Sequence, residues 1–127
     1  MTLAEEAADL FQKHRKELGF VNVAQCREKD LYSVKKDGSV VGAVLCNHCV
    51  RKPQTTIYDI AVYDEYRGEG HGTELVDKVW EDSPHEKIVA KCPIDLPSNH
   101  FYRESGWKLV DVESGKNREL CVWEYYG

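Results

Sequence analysis

The spacing of apolar residues changes several times along the chain. Leu3, Ala7, Leu10, Phe11, His14 and Leu18 recur at helical spacing and predict a helix over 3–18. Thr2 and Glu5 have the spacing of a capping box, and Gly19 stands where a C-terminal cap belongs. "FVNVAQCRE" (20–28) predicts a short strand. "DLYSVKKDGSVVGAVLCNHCV" (30–50) predicts a hairpin. In it Asp37-Gly38 joins the alternating "LYSVKK" to the apolar run "VVGAVLC". "TTIYDIAVY" (55–63), rich in β-branched and aromatic residues, predicts another strand.

Beyond a glycine-rich stretch, Leu75, Val76, Val79 and Trp80 predict a helix that must end before Pro84. "KIVAKC" (87–92) predicts a short buried strand, and "PSNHFYRES" (97–105) a short helix closed by Gly106. "WKLVDVE" and "ELCVWEYY" predict two final strands joined by the turn "SGKN". The β-α-β portion requires one parallel pair, because its crossover is a helix. The expected class is α+β: a mixed, mostly antiparallel sheet with helices on both faces. No repeat, low-complexity tract or linker interrupts the chain, so one domain over 1–127 is expected.

Composition adds limits. Hydrophobic residues make up 42% of the 127, enough for one core. No apolar run approaches the length of a membrane span. The N-terminus is acidic and amphipathic, unlike a signal peptide, so a cytoplasmic location is the expectation. A net charge of −5 argues against general binding to nucleic acid or anionic membrane. The five cysteines lie scattered in apolar segments and read as reduced core thiols. "CNHC" (46–49) lacks the second ligand pair of a structural zinc site, so no metal is expected.

The candidate chemistry lies in "YRGEGHG" (66–72), between a strand end and a helix start. Helix N-termini expose unpaired N–H groups and a positive dipole end, and they favour anions such as phosphate. Glycines let the main chain approach a ligand and adopt positive φ. The dinucleotide fingerprint fails, because its sixth position is Thr73, and no P-loop lysine follows. Another nucleotide-binding use of "GEGHG" remains an alternative, one that predicts stabilisation by a nucleoside triphosphate.

Arg67-x-x-Gly70-x-Gly72 resembles the pyrophosphate-binding loop of the GCN5-related N-acetyltransferase (GNAT) family. The surrounding "IYDIAVYDEYRGEGHGTELVDKV" is similar to that family's strand-loop-helix segment, and "NHFYRESGW" (99–107) resembles its second signature. Together they cover about residues 55–110. The resemblance implies a GNAT-like sheet with a splayed parallel pair, 55–63 and 87–92, that receives the donor. It also implies transfer of an acetyl group from acetyl-CoA to a primary amine of a small molecule or protein. A monomer or homodimer is expected.

The residue roles follow from that resemblance. Pyrophosphate rests on Arg67, Gly68, Glu69, Gly70, His71, Gly72 and Thr73. Main-chain N–H groups of Ile60, Ala61 and Val62 are the candidates to hold the thioester carbonyl and its developing oxyanion. Asn99 contacts the pantetheine arm or sulfur region, or else satisfies its helix start. Tyr102 hydrogen-bonds to the leaving thiolate, or else packs in the core. Outright proton transfer from a phenol to a thiolate is uphill by roughly 2 kcal/mol at ordinary pKa values.

An amine must be neutral to attack, so a base helps. Asp59 is the only acid in "TTIYDIAVY" and is the candidate; Glu65 and His100 are the alternatives. The glutamate of histone-acetylating members falls near Thr56, which cannot serve, so a histone-type mechanism is not expected. "VWEYY" with Asp111, Glu113 and Glu124 either frames a cationic acceptor pocket or makes ordinary strands. A catalytically inactive module that binds CoA or a partner is the other functional reading.

Overall fold

In a computed structural model of the protein, residues 2–14 and 22–127 are described. The helices are α1 (Leu3–Lys13), α2 (Val23–Glu28), α3 (His71–Asp82) and α4 (Ser98–Glu104). The strands are β1 (Asp30–Lys36), β2 (Ser39–His48), β3 (Thr55–Val62), β4 (Ile88–Pro93), β5 (Lys108–Ser114) and β6 (Glu119–Tyr125). They hydrogen-bond in the order β1-β2-β3-β4-β6-β5. β3 and β4 are parallel, pairing Thr55–Ile57 with Ile88–Ala90, while β3 continues to Val62 and β4 to Pro93. The β1–β2, β4–β6 and β5–β6 pairs are antiparallel. This is the expected α+β mixed sheet, with the one parallel pair where the β-α-β order requires it.

The strand expected over 20–28 is instead a helix over Val23–Glu28. Asn22 accepts from the Gln25 N–H at 2.9 Å, and the Gln25 side chain accepts from the Asn22 N–H at 2.9 Å. That reciprocal capping box supplies partners for two helix-start donors, and Cys26 is the buried anchor of the resulting single turn and a half. The first helix carries the expected Thr2–Glu5 box. Its described turns end at Lys13 with His14 as C-cap; the expected Leu18 and Gly19 lie outside the described residues.

The chain gathers into two compact units. The first comprises residues 1–47 and 58–82. Its core joins Ala7, Leu10 and Phe11 of α1 to Cys26, to Val40, Ala43 and Leu45 of β2, and to Ala61 of β3. Asp37 and Gly38 both take positive φ, 52° and 82°, as a tight two-residue hairpin of right-handed strand twist requires. α3 packs on β1, where Lys78 Nζ donates to the Ser33 carbonyl at 2.7 Å and Tyr32 donates to Asp82 at 2.9 Å.

The second unit comprises residues 48–57 and 83–127. Aromatic rings dominate its interior: Tyr102 stacks on Trp123 at 5.9 Å and meets Trp107 edge-on at 5.0 Å. At the start of β3 a part-buried polar chain joins His48 Nδ1 to the Thr55 hydroxyl at 2.8 Å and that hydroxyl to Ser83 at 2.7 Å. His85 extends it, its Nε2 lying 2.6 Å from the Cys49 carbonyl.

Candidate active site

In the first unit, β3 runs through Tyr63 and a 3-10 turn (Asp64–Tyr66) into the glycine stretch. Gly68 and Gly70 hold φ of 80° and 86°, a region in which an L side chain is strained. Nothing lies within 4 Å of where a Cβ would stand at either, so conformation rather than crowding calls for glycine. The first helical bond of α3 runs from the Glu74 N–H to the Gly70 carbonyl at 3.0 Å. The N–H groups of His71, Gly72 and Thr73 therefore precede the helical ladder. With glycine at position 70, no side chain is available there to cap them. The strand-loop-helix arrangement is thus the one the sequence predicts for an anion site.

Charged side chains surround this helix start. Arg67 Nε donates to the Val62 carbonyl and lies 3.3 Å from Asp64, which ties the half-exposed guanidinium to the end of β3. Lys36 of β1 bonds Glu69 at 3.3 Å. His71 is largely buried; its Nε2 lies 3.6 Å from Glu69 and its Nδ1 3.9 Å from Glu74. Those separations exceed hydrogen-bond length, and neither ring nitrogen has a hydrogen-bond partner among the described residues.

Asp59 lies in the same unit, on β3 before Ile60, Ala61 and Val62. Burial pushes its carboxyl up to about 6, and the Lys29 ammonium partly opposes the shift. Lys29 follows α2 and also lies over the Tyr58 ring, 5.0 Å from its centroid. Lys29 carries no local signal, because only the fold brings residue 29 near residue 59. Glu65 is exposed, and His100 is 75% exposed beside Glu104. Neither matches Asp59 in burial. Thr56 hydrogen-bonds with Gln54 at 3.1 Å.

Asn99 and Tyr102 lie in the second unit. Asn99 Nδ2 donates to the carbonyls of Pro93 (2.9 Å), Leu96 (3.0 Å) and Ile94 (3.3 Å), and its Oδ1 accepts from Trp123 Nε1 at 2.9 Å. The amide thus binds the β4–α4 loop and the indole of β6. These bonds satisfy backbone carbonyls and an indole N–H, and they leave the expected coenzyme contact of Asn99 open. Tyr102 is 4% exposed, enclosed by Phe101, Trp107 and Trp123.

The acids considered as an acceptor frame have local partners. Asp111 accepts from the Val112 N–H, Glu113 pairs with Lys91 at 2.7 Å, and Glu124 pairs with Lys87 at 3.6 Å. In "CNHC", Cys46 is wholly buried and burial pushes its thiol up to about 12. The Cys49 thiol sits 3.7 Å from the Thr56 hydroxyl. No helix among the described residues is long and apolar enough to cross a membrane.

The sequence profile of the acetyltransferase (GNAT) family matches residues 1–107. No curated sequence matches the chain. Among solved structures, a GNAT-family protein from Desulfovibrio desulfuricans aligns with a TM-score of 0.81 at 15% identity, over 98% of this chain and 92% of its own. An aminoglycoside 6'-N-acetyltransferase complexed with coenzyme A gives 0.80 at 12% identity, over 97% and 89%. Ard1 from Thermoplasma volcanium gives 0.76 at 17% identity, over 96% and 89%. At these identities the structures share the fold, and the family profile adds sequence evidence over most of the length: the chain belongs to the GNAT family of acetyltransferases.

Proposed function

We propose that this chain transfers an acetyl group from acetyl-CoA to a primary amine by direct attack. The observation that carries the reading is the start of α3 directly behind Gly68 and Gly70, both at positive φ, in a chain of this family. The structural neighbour complexed with coenzyme A supports the choice of donor.

In this reading the donor's pyrophosphate is held by main-chain N–H groups from Gly68 to Thr73, with Arg67 supplying positive charge. Main-chain N–H groups within Ile60–Val62 stabilise negative charge as it grows on the thioester oxygen. The amine nitrogen bonds to the acetyl carbon, the carbon–sulfur bond breaks, and the thiolate leaves. Asp59 takes the amine proton, directly or through a water. With its carboxyl near 6, Asp59 is ionised about ten to one at pH 7, yet is a stronger base than an ordinary carboxylate. We assign to the Tyr102 hydroxyl a hydrogen bond to the leaving thiolate, on the strength of its signature motif. Asn99 is assigned to the same end of the donor on that motif, and its four hydrogen bonds suggest support of the loop as its manner of action.

The acceptor is a primary amine of a small molecule or a protein. The decisive assay measures free CoA released from acetyl-CoA across a panel of polyamines, aminoglycosides and lysine peptides. Turnover with any of them, reduced in Asp59→Asn, is the expected result. Tight CoA binding with no turnover on any amine would overturn the catalytic reading in favour of a CoA-binding module. Stabilisation by nucleoside triphosphates but not by CoA would overturn both.

A further inference from the structure

Two of the five cysteines face each other. In the antiparallel β4–β6 ladder Cys92 is directly opposite Cys121. Two residues further along the same register, the Ile94 N–H donates to the Glu119 carbonyl at 3.0 Å. Antiparallel pairs alternate between hydrogen-bonded and non-hydrogen-bonded types. Ile94/Glu119 is hydrogen-bonded, so Pro93/Leu120 is not, which suits a residue with no N–H, and Cys92/Cys121 again is. Such pairs hold their Cα atoms about 5.5 Å apart with both side chains on one face, within the range disulfides span.

We propose that Cys92 and Cys121 form a site of reversible oxidation, a cross-strand dithiol that small peroxides close to a disulfide. The other thiols are less suited. Cys46 is opposite Asp30 in the β1–β2 ladder, and Cys26 is on α2. Cys49 is more open, but its neighbour is the Thr56 hydroxyl. In the reaction, one thiolate attacks a peroxide oxygen, the O–O bond breaks, and a sulfenic acid forms with release of hydroxide. The facing sulfur then attacks the sulfenic sulfur, the S–S bond forms, and the second oxygen leaves as hydroxide. The two thiol protons convert both hydroxides to water. Overall two thiols lose two electrons and one peroxide gains them.

The bond would be strained. Opposed side chains in an antiparallel ladder have Cβ atoms about 4.5–5.5 Å apart, and a relaxed disulfide prefers about 3.8 Å. Strain raises the reduction potential, so a thiol reductant reopens the bond readily. The site also adjoins the Asn99 bracket. The Cys92 thiol donates to the Pro93 carbonyl at 3.6 Å, the same oxygen that accepts from Asn99 Nδ2. Oxidation removes the thiol donor from that shared acceptor.

The test treats the full chain, as Cys49→Ser, with hydrogen peroxide and maps it by mass spectrometry without reduction. The expected product has lost two hydrogen atoms and yields a Cys92–Cys121 linked peptide, which dithiothreitol reverses. Adding Cys92→Ser or Cys121→Ser should abolish that species, while far-UV circular dichroism shows that each variant is folded. Sulfinic or sulfonic acid at either position without the link, or a link to a different cysteine, overturns the proposal. Because the readout is covalent mass, it is independent of whether the chain acetylates an amine.

Discussion

Replacing Asp59 by asparagine should make the protein more stable and less active at once. Burial raises the carboxyl from its ordinary value of 3.8 to about 6. The folded state thus binds this proton more tightly than the unfolded chain, by roughly 2 pH units, or about 3 kcal/mol. The sign follows from linkage. Between about pH 4 and pH 6 the folded state carries more protons than the unfolded one, so stability falls as pH rises through that window and stays low above it. An uncharged side chain of the same shape avoids that loss. Asp59→Asn should therefore be about 3 kcal/mol more stable than the parent at pH 7.5, and the gap should narrow to about 1 kcal/mol at pH 4.5. Urea unfolding at the two pH values measures both. If Asp59 is the base, CoA release at saturating amine should fall by 10²-fold or more. A variant no more stable than the parent at pH 7.5, with turnover intact, would refute both the buried charge and its role.

Three further changes probe neighbouring features. Lys29→Met removes the positive charge that opposes the shift of Asp59, so the acid limb of the pH–rate profile, expected near 6, should move upward; an unmoved limb would show that the ammonium does not act on the base. Asn99→Ala leaves the Trp123 N–H without its acceptor and takes a donor from the Pro93, Ile94 and Leu96 carbonyls, and should cost about 2–4 kcal/mol in chemical denaturation; a loss below about 0.5 kcal/mol would deny the bracket. Gly70→Ala forces a side chain onto a φ of 86°, so stability should drop by about 1–2 kcal/mol and CoA affinity should fall in calorimetric titration. Unchanged affinity there would move the pyrophosphate elsewhere.

What the sequence revealed was mostly what local rules control. The Asp37-Gly38 hairpin, the helix after the glycines and the final strand pair all carry their signals within a few residues. The miss at 20–28 is also local: Asn22 and Gln25 spell a capping box, but a valine-rich segment too short to show a full helical period reads equally well as a strand. The glycine register of the loop was legible because positive φ constrains residue type. The burial of Asp59 was not, since it depends on α2 and Lys29 reaching β3 from elsewhere in the chain. The saturation of Asn99 was hidden for the same reason: its four partners come from Pro93, Ile94, Leu96 and, 24 residues on, Trp123.

The contrast among helix starts has a consequence for engineering. α1 and α2 each begin with a reciprocal box, Thr2 with Glu5 and Asn22 with Gln25, whereas α3 begins behind a bare glycine. The usual remedy, serine or aspartate before the first turn, would be strained at position 70, where φ is 86°. Either oxygen would compete with an incoming phosphate for the same N–H groups, and aspartate would add repulsion. Such a variant would lose stability and, on the proposed reading, donor affinity together, so position 70 should stay glycine in any thermostabilised version of this chain.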